Sequence, residues 1–145
     1  MKKLIVLAML TACVAGCPEF WAGLAKVAQG SQWIEAIVAA AEPQLNDYFA
    51  ANADPGLQSK VALALQETKA ACATLEATIA AASDAKDSRV VTAEADALRA
   101  YEELEALIQA LPRPTPKLGA GSTKVDVLPP RLPEHQRVAA AFATK

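Results

Sequence analysis

The chain has 145 residues, with 14 basic and 16 acidic side chains and a formal net charge of −2. That length suits one modest domain plus a tail and excludes a large multidomain enzyme, and the charge gives no expectation of a nucleic-acid partner. Alanine is abundant and aromatics make up only 5%, which favours close-packed helices over pleated sheet, so the expected fold class is all-α.

The first seventeen residues have the anatomy of a secretory signal. Lys2 and Lys3 form a short positive region, Leu4 to Ala15 an almost wholly apolar one, and Val14-Ala15-Gly16 a small-residue approach to Cys17. The apolar run falls short of the roughly twenty residues that cross a bilayer. Val14-Ala15-Gly16-Cys17 resembles the lipobox of bacterial lipoproteins, as does Leu10-Thr11-Ala12-Cys13 just upstream. Cys17 is the preferred lipid site. A site at Cys13 would shorten the apolar region to about Leu4–Met9, below the roughly 7 to 15 residues such regions carry.

The resemblance implies a signal peptide over residues 1–16, cleaved to make Cys17 the new N-terminus. Cys17 would then carry a covalent lipid of acyl chains such as palmitate, and no other cofactor is expected. Two or more chains give stable anchoring where one is marginal. In enteric members of that family, Asp after the cysteine retains a protein on the inner membrane. Here the residue is Pro18, so the implied location is the periplasmic face of the outer membrane. Both methionines, Met1 and Met9, lie in the leader.

Residues 17–111 read as a helical domain. Phe20, Leu24, Val27, Ile34, Val38, Ala41, Leu45 and Tyr48 fall at alternating steps of four and three, with Ser31 in the one polar slot. This spacing predicts a helix over about 19–51 with a narrow apolar seam. Phe20 and Trp21 follow the lipid site closely enough to rest at head-group level, or else to pack in the core. Pro43 predicts a kink or a restart near Glu42. Asp54 is a suitable N-cap and Pro55 a suitable first residue for a second helix over about 56–82. Its seam is Leu57, Val61, Leu65, Thr68, Cys72, Leu75, Ile79 and Ala82.

The register then slips, because Val90, Val91, Leu98, Tyr101, Leu104, Ile108 and Leu111 lie out of phase with that seam. A polar cluster, Ser83-Asp84-Ala85-Lys86-Asp87-Ser88, sits at the slip and reads as a turn before a third helix over about 88–111. Without Gly or Pro between Leu57 and Leu111, one continuous helix is the rival reading. The first option gives a small helical bundle, the second a long helical hairpin or a self-associating coiled coil. The alanine-rich core is thin in either case, so a homo-oligomer or a helical protein partner for the seam is a further expectation.

Residues 112–133 form a Pro- and Gly-rich linker, expected to be an extended tail near polyproline II or disordered. Residues 134–145 carry a possible short helix with Val138, Ala141 and Phe142 on one side. Charge divides with this boundary. From Cys17 to Leu111 six basic residues stand against fourteen acidic ones, a formal −8, while from Pro112 onward six basic residues stand against two acidic ones, a formal +4. Arg113, Lys117, Lys124, Arg131 and Lys145 are therefore candidate contacts for an anionic surface such as cell wall, head groups or the acidic body of another copy.

No catalytic constellation is found, and the chain is not expected to be an enzyme. His135, the one histidine, is expected to face solvent in a mobile tail, and no metal-ligand spacing surrounds it. Glu102, Glu103 and Glu105 read as a charge run on an exposed helix face, with Arg99 within reach of Glu102 or Glu103. Cys72 reads as an inert buried thiol, with an intermolecular disulfide as the alternative.

The expected function is a non-catalytic structural or protein-interaction role for a membrane-anchored lipoprotein. A small helical lipoprotein ending in Ala143-Thr144-Lys145 also resembles the murein-linked outer-membrane lipoproteins, which implies peptidoglycan contact through Lys145. The alternative is a lysis role, since a small proline-bearing lipoprotein also resembles the outer-membrane spanins of bacteriophages. That resemblance implies an inner-membrane partner.

Overall fold

The computed structural model describes residues 18–113 and 127–143 of the chain. Its elements are four helices, α1 (Pro18–Ala51), α2 (Pro55–Ala81), α3 (Ser88–Gln109) and α4 (His135–Ala143), and no strand occurs among the described residues. The fold is all-α.

The seam of α1 is buried throughout its described length: Leu24, Val27, Ser31, Ile34, Val38, Ala41, Leu45 and Tyr48 all lie in the core. Alternating steps of four and three keep one stripe on one side of a helix, and that stripe meets α2. Pro43 does not restart the helix, which runs on from Pro18 to Ala51. The proline removes the bond that would return to Ala39, and one residue along the Gln44 side-chain amide donates to the Ala40 carbonyl at 3.1 Å.

Asp54 caps α2 from an extended backbone (φ −139°, ψ 93°), and its carboxylate accepts from Leu57 N at 2.9 Å. Pro55 takes the first helical position, where its missing N–H costs nothing. Val61, Ala64, Thr68, Cys72 and Leu75 are buried, with Leu57, Leu65, Ile79 and Ala82 partly so. The chain then turns. Asp84 accepts from Lys86 N, and Asp87 accepts from Arg89 N, both at 2.9 Å, so two carboxylates hold the turn and start α3. One continuous helix from Pro55 to Leu111 is thereby excluded.

Val90 is fully buried in α3 and Val91 is exposed. The two lie about 100° apart around a helix, and the stripe of Ala93, Ala97, Tyr101, Leu104 and Ile108 selects the first. Thr68 Oγ1 donates to Ala64 O at 2.8 Å and lies 3.1 Å from Ala100 O, a polar stitch between α2 and α3 inside the core.

Two contacts fix the relative directions. Tyr48 near the end of α1 donates its hydroxyl to Pro112 O just past α3, at 2.7 Å. Near the start of α1, a Cβ on Gly23 would stand 3.0 Å from the Ala85 Cβ in the α2–α3 turn. Thus α1 and α3 run the same way with α2 antiparallel, as short connections between long helices require. The short α4 then packs against α1 and α3 and closes the bundle as a partial fourth helix.

The Pro-rich stretch departs from expectation where it is described. Pro129 and Pro130 are buried, Val127 and Leu132 pack against the core, and Val138 and Phe142 of α4 are buried too. An extended Pro-rich segment exposes one apolar edge of rings, and here that edge has a helical surface to cover. Phe142 owes its seat to Gly30, because a Cβ there would come 2.5 to 2.7 Å from the phenyl ring.

Candidate functional site

The sequence-predicted lipid sites, Cys17 and Cys13, lie outside the described residues, as do Lys117, Lys124 and Lys145. Phe20 and Trp21 fall in the first turn of α1. Arg113 and Arg131 are both exposed.

The structure gathers polar groups where α3 meets the C-terminal segment. The stripe Ala97, Tyr101, Leu104, Glu105, Ile108 puts a carboxylate on the core face of α3, and Glu105 is only 5% exposed. This corrects the expectation of an exposed charge run for Glu105. Glu102 and Glu103 do face solvent, but Glu105 is turned inward by the same helical phase that buries Tyr101 and Leu104.

Both oxygens of Glu105 are occupied. Gln109 Nε2 donates to Oε1 at 2.6 Å, and the backbone N–H of His135 donates to Oε2 at 2.8 Å. The second bond matters most, because His135 is the first residue of α4 and its N–H has no partner within that helix. A carboxylate from α3 thus satisfies the N-terminus of α4 and sits at the positive end of its dipole. Four residues earlier on α3, the Tyr101 hydroxyl donates to Pro133 O at 2.8 Å. Burial raises the Tyr101 phenol above its ordinary range, with the Glu105 charge adding to the effect. The two residues form a clasp on the segment entering α4.

His135 is consequently not a free tail residue. Its side chain is 42% exposed, with Nδ1 at 3.5 Å from Glu105 Oε2 and Nε2 at 3.9 Å from Glu102 Oε1. The imidazole bridges the rim of the clasp, while the carboxylate below it is committed to its two donors. Arg99 also differs from expectation. It reaches back to Asp96 at 3.4 Å, an exposed i,i+3 pair worth only a few tenths of a kcal/mol.

Cys72 is fully buried, and burial pushes its thiol up to about 11. That position rules out the intermolecular disulfide, since the sulfur has no path to a second chain in the folded state. The Ser31 hydroxyl lies against this thiol and is buried without a hydrogen-bond partner of good geometry.

An open groove of about 750 Å³ follows the outer side of the α2–α3 pair. Its floor is small, with Ala70, Ala71, Thr74 and Ala93 among its residues, and Glu67, Asp96, Glu103, Arg89 and Arg99 stand along it. Among the described residues, no three His, Cys, Asp or Glu side chains converge as a metal site. No described helix is long and apolar enough to cross a membrane. Comparison with protein-family models, curated proteins and solved structures gives no match.

Proposed function

We propose that the protein is a lipid-anchored bacterial lipoprotein with a non-catalytic structural or protein-interaction role at the periplasmic face of the outer membrane. The observation that carries this reading is the leader: Lys2-Lys3, an apolar run, and Val14-Ala15-Gly16-Cys17. Support comes from the order of the parts. The described part of α1 runs from Pro18, the residue that follows Cys17 in the sequence, so the bundle lies next to the lipid site along the chain. A bundle whose buried polar groups serve as caps and clasps suits a scaffold. The spanin alternative calls for an arm extended toward an inner-membrane partner, and the folding of 127–143 back onto the bundle favours the structural reading over it.

The test is intact-mass analysis of protein extracted from membranes, with fractionation of inner and outer membranes. Acylated protein starting at Cys17, in the outer-membrane fraction and lost in Cys17→Ser, is the expected result. An unmodified mass, or a chain starting at Cys13, overturns the assignment of the site.

A further inference from the structure

We infer that the groove on the outer side of the α2–α3 pair seats a second copy of this chain, bound antiparallel about a two-fold axis that passes beside Asp96. The inference names a partner for the proposed interaction role and does not depend on the lipid anchor. The apolar seams that the sequence offers to a helical partner lie inside the bundle, where Ile34, Leu75 and Leu104 are fully buried. A second copy therefore needs another face. The groove, about 750 Å³ and open to solvent, provides one.

Its walls carry the argument, because their charges are polarised from end to end. Thr68 Oγ1 stands 3.1 Å from Ala100 O, which sets residues 68 and 100 at one level of the antiparallel pair. From that level Glu67 lies about 1.5 Å and Glu103 about 4.5 Å toward the α1–α2 connection, and Arg89 about 16 Å the other way, at 1.5 Å per residue. Among the described residues, neither of these exposed glutamates forms an ion pair. Arg89 has Asp87 as a neighbour at 2.6 Å, but its side chain remains 67% exposed and open to a second carboxylate. Between the ends, Arg99 and Asp96 pair with each other at 3.4 Å. One end of the groove is thus acidic and the other basic.

A surface polarised in this way complements itself when turned end for end. Two copies set face to face in parallel would bring four carboxylates, Glu67 and Glu103 of each, to one end. The antiparallel arrangement instead carries Arg89 of each copy to Glu103 of the other. Asp96 lies seven residues from Arg89 and seven from Glu103, so all three share one side of α3 and a two-fold axis at Asp96 sets position 89 level with position 103. The two Asp96 carboxylates meet at that axis. Each then lies within one helical turn of both Arg99 side chains, so the signs alternate across the centre. The same axis sets Ala70 of α2 level with Thr74 of the other copy, since residues 72 and 96 stand at one level by the Thr68–Ala100 contact. With Ala70, Ala71, Thr74 and Ala93 on the floor, no long side chain holds the two faces apart, and the charged walls can reach each other.

The experiment uses the full-length chain in excess detergent at physiological ionic strength, with one copy tagged and one untagged, and measures retention of the untagged copy. The tagged parent is expected to retain the untagged parent. Arg89→Glu and Glu103→Arg should each lower self-retention roughly tenfold or more, because every dimer then carries a like-charged pair at both ends. Mixed together, the two variants should retain each other as the parent retains itself, since position 89 of one then meets an opposite charge at position 103 of the other. Thr74→Glu, at an exposed floor position away from the start of α3, should abolish self-retention too. Three results overturn the proposal: no self-retention by the parent, retention that none of the three substitutions lowers, or two charge variants that keep their helix content by circular dichroism and fail to rescue each other. If Arg89→Glu melts α3, Thr74→Glu decides alone, and retention at the parent's level overturns the proposal.

Discussion

Replacing Gly30 by alanine sets two effects of opposite sign against each other. Alanine is worth about 0.8 to 1.0 kcal/mol more than glycine in a helix interior. Position 30 lies mid-helix in α1, so propensity alone predicts stabilisation. The new Cβ, however, would stand 2.5 Å from Phe142 Cε1 and 2.6 Å from Cζ, inside any tolerable contact. The ring cannot swing aside cheaply, because α4 is held at its other end by Glu105 and the ring itself is buried. Losing its burial costs about 1.5 to 3 kcal/mol. The net expectation for Gly30→Ala is destabilisation of about 0.5 to 2 kcal/mol, the difference between those two terms. It should be concentrated in α4. Thermal melts give the total, and hydrogen exchange resolves faster opening of His135–Ala143 from an unchanged α2.

The decisive measurement is the same substitution in a Phe142→Ala background. There the clash is gone, and Gly30→Ala should stabilise by about 1 kcal/mol. A reversal of sign between the two backgrounds is thus expected, which is the mark of two residues in direct contact. If Gly30→Ala stabilises the wild-type protein as much as the Phe142→Ala variant, the account of α4 docking is refuted.

Three further outcomes follow from the polar groups. Glu105→Ala removes the acceptor of the His135 N–H and should cost about 1 to 3 kcal/mol, the price of a buried donor left unpaired, read as hydrogen exchange at the start of α4. Ser31→Ala deletes a buried hydroxyl that lacks a good partner and should raise the melting temperature, by up to about 1 kcal/mol of stability; a fall of that size would show that the contact with Cys72 is worth more than the burial of the hydroxyl. The third concerns Asp87, held down to about 2, first by the Arg89 side chain and then by the Arg89 backbone N–H. A carboxylate lowered in the folded state contributes stability above its unfolded range near 3.8 and loses it as pH falls through about 2. Fraying of the first turn of α3 should therefore grow between those pH values, and Asp87→Asn should flatten that dependence.

Much of the bundle is legible in the sequence because each long helix writes its buried face at fixed intervals. The α1 seam could be read residue by residue, and the phase slip after Ala82 marked the turn that Asp84 and Asp87 hold. Asp54 and Pro55 likewise carry their own local chemistry as cap and first residue. What escaped depends on a partner distant in sequence. Glu105 looks like one acid in a run of three, and only the arrival of His135, thirty residues later, makes it a buried acceptor. Its position on the stripe with Tyr101 and Ile108 was the available signal. The prolines at 129 and 130 suggest an extended chain by composition, and that composition says nothing about whether a surface lies beneath it. Gly30 gave a weaker hint, as a glycine beside the one polar slot of an apolar seam. The exposure of Val91 escaped because alanines carry the buried stripe between Val90 and Tyr101, and Ala93 and Ala97 write a weaker apolar signal than the two valines do.

The small residues between α2 and α3 have a consequence in entropy. Alanine has no rotamers to lose on burial, in contrast to the long apolar side chains that usually fill such seams. With Ala64, Ala93 and Ala97 buried, ordering this interface costs the backbone its freedom and the side chains almost nothing. A seam that removes little apolar surface from water can therefore still hold two helices together. The same economy leaves it no slack, because a side chain without rotamers cannot move aside for a larger neighbour.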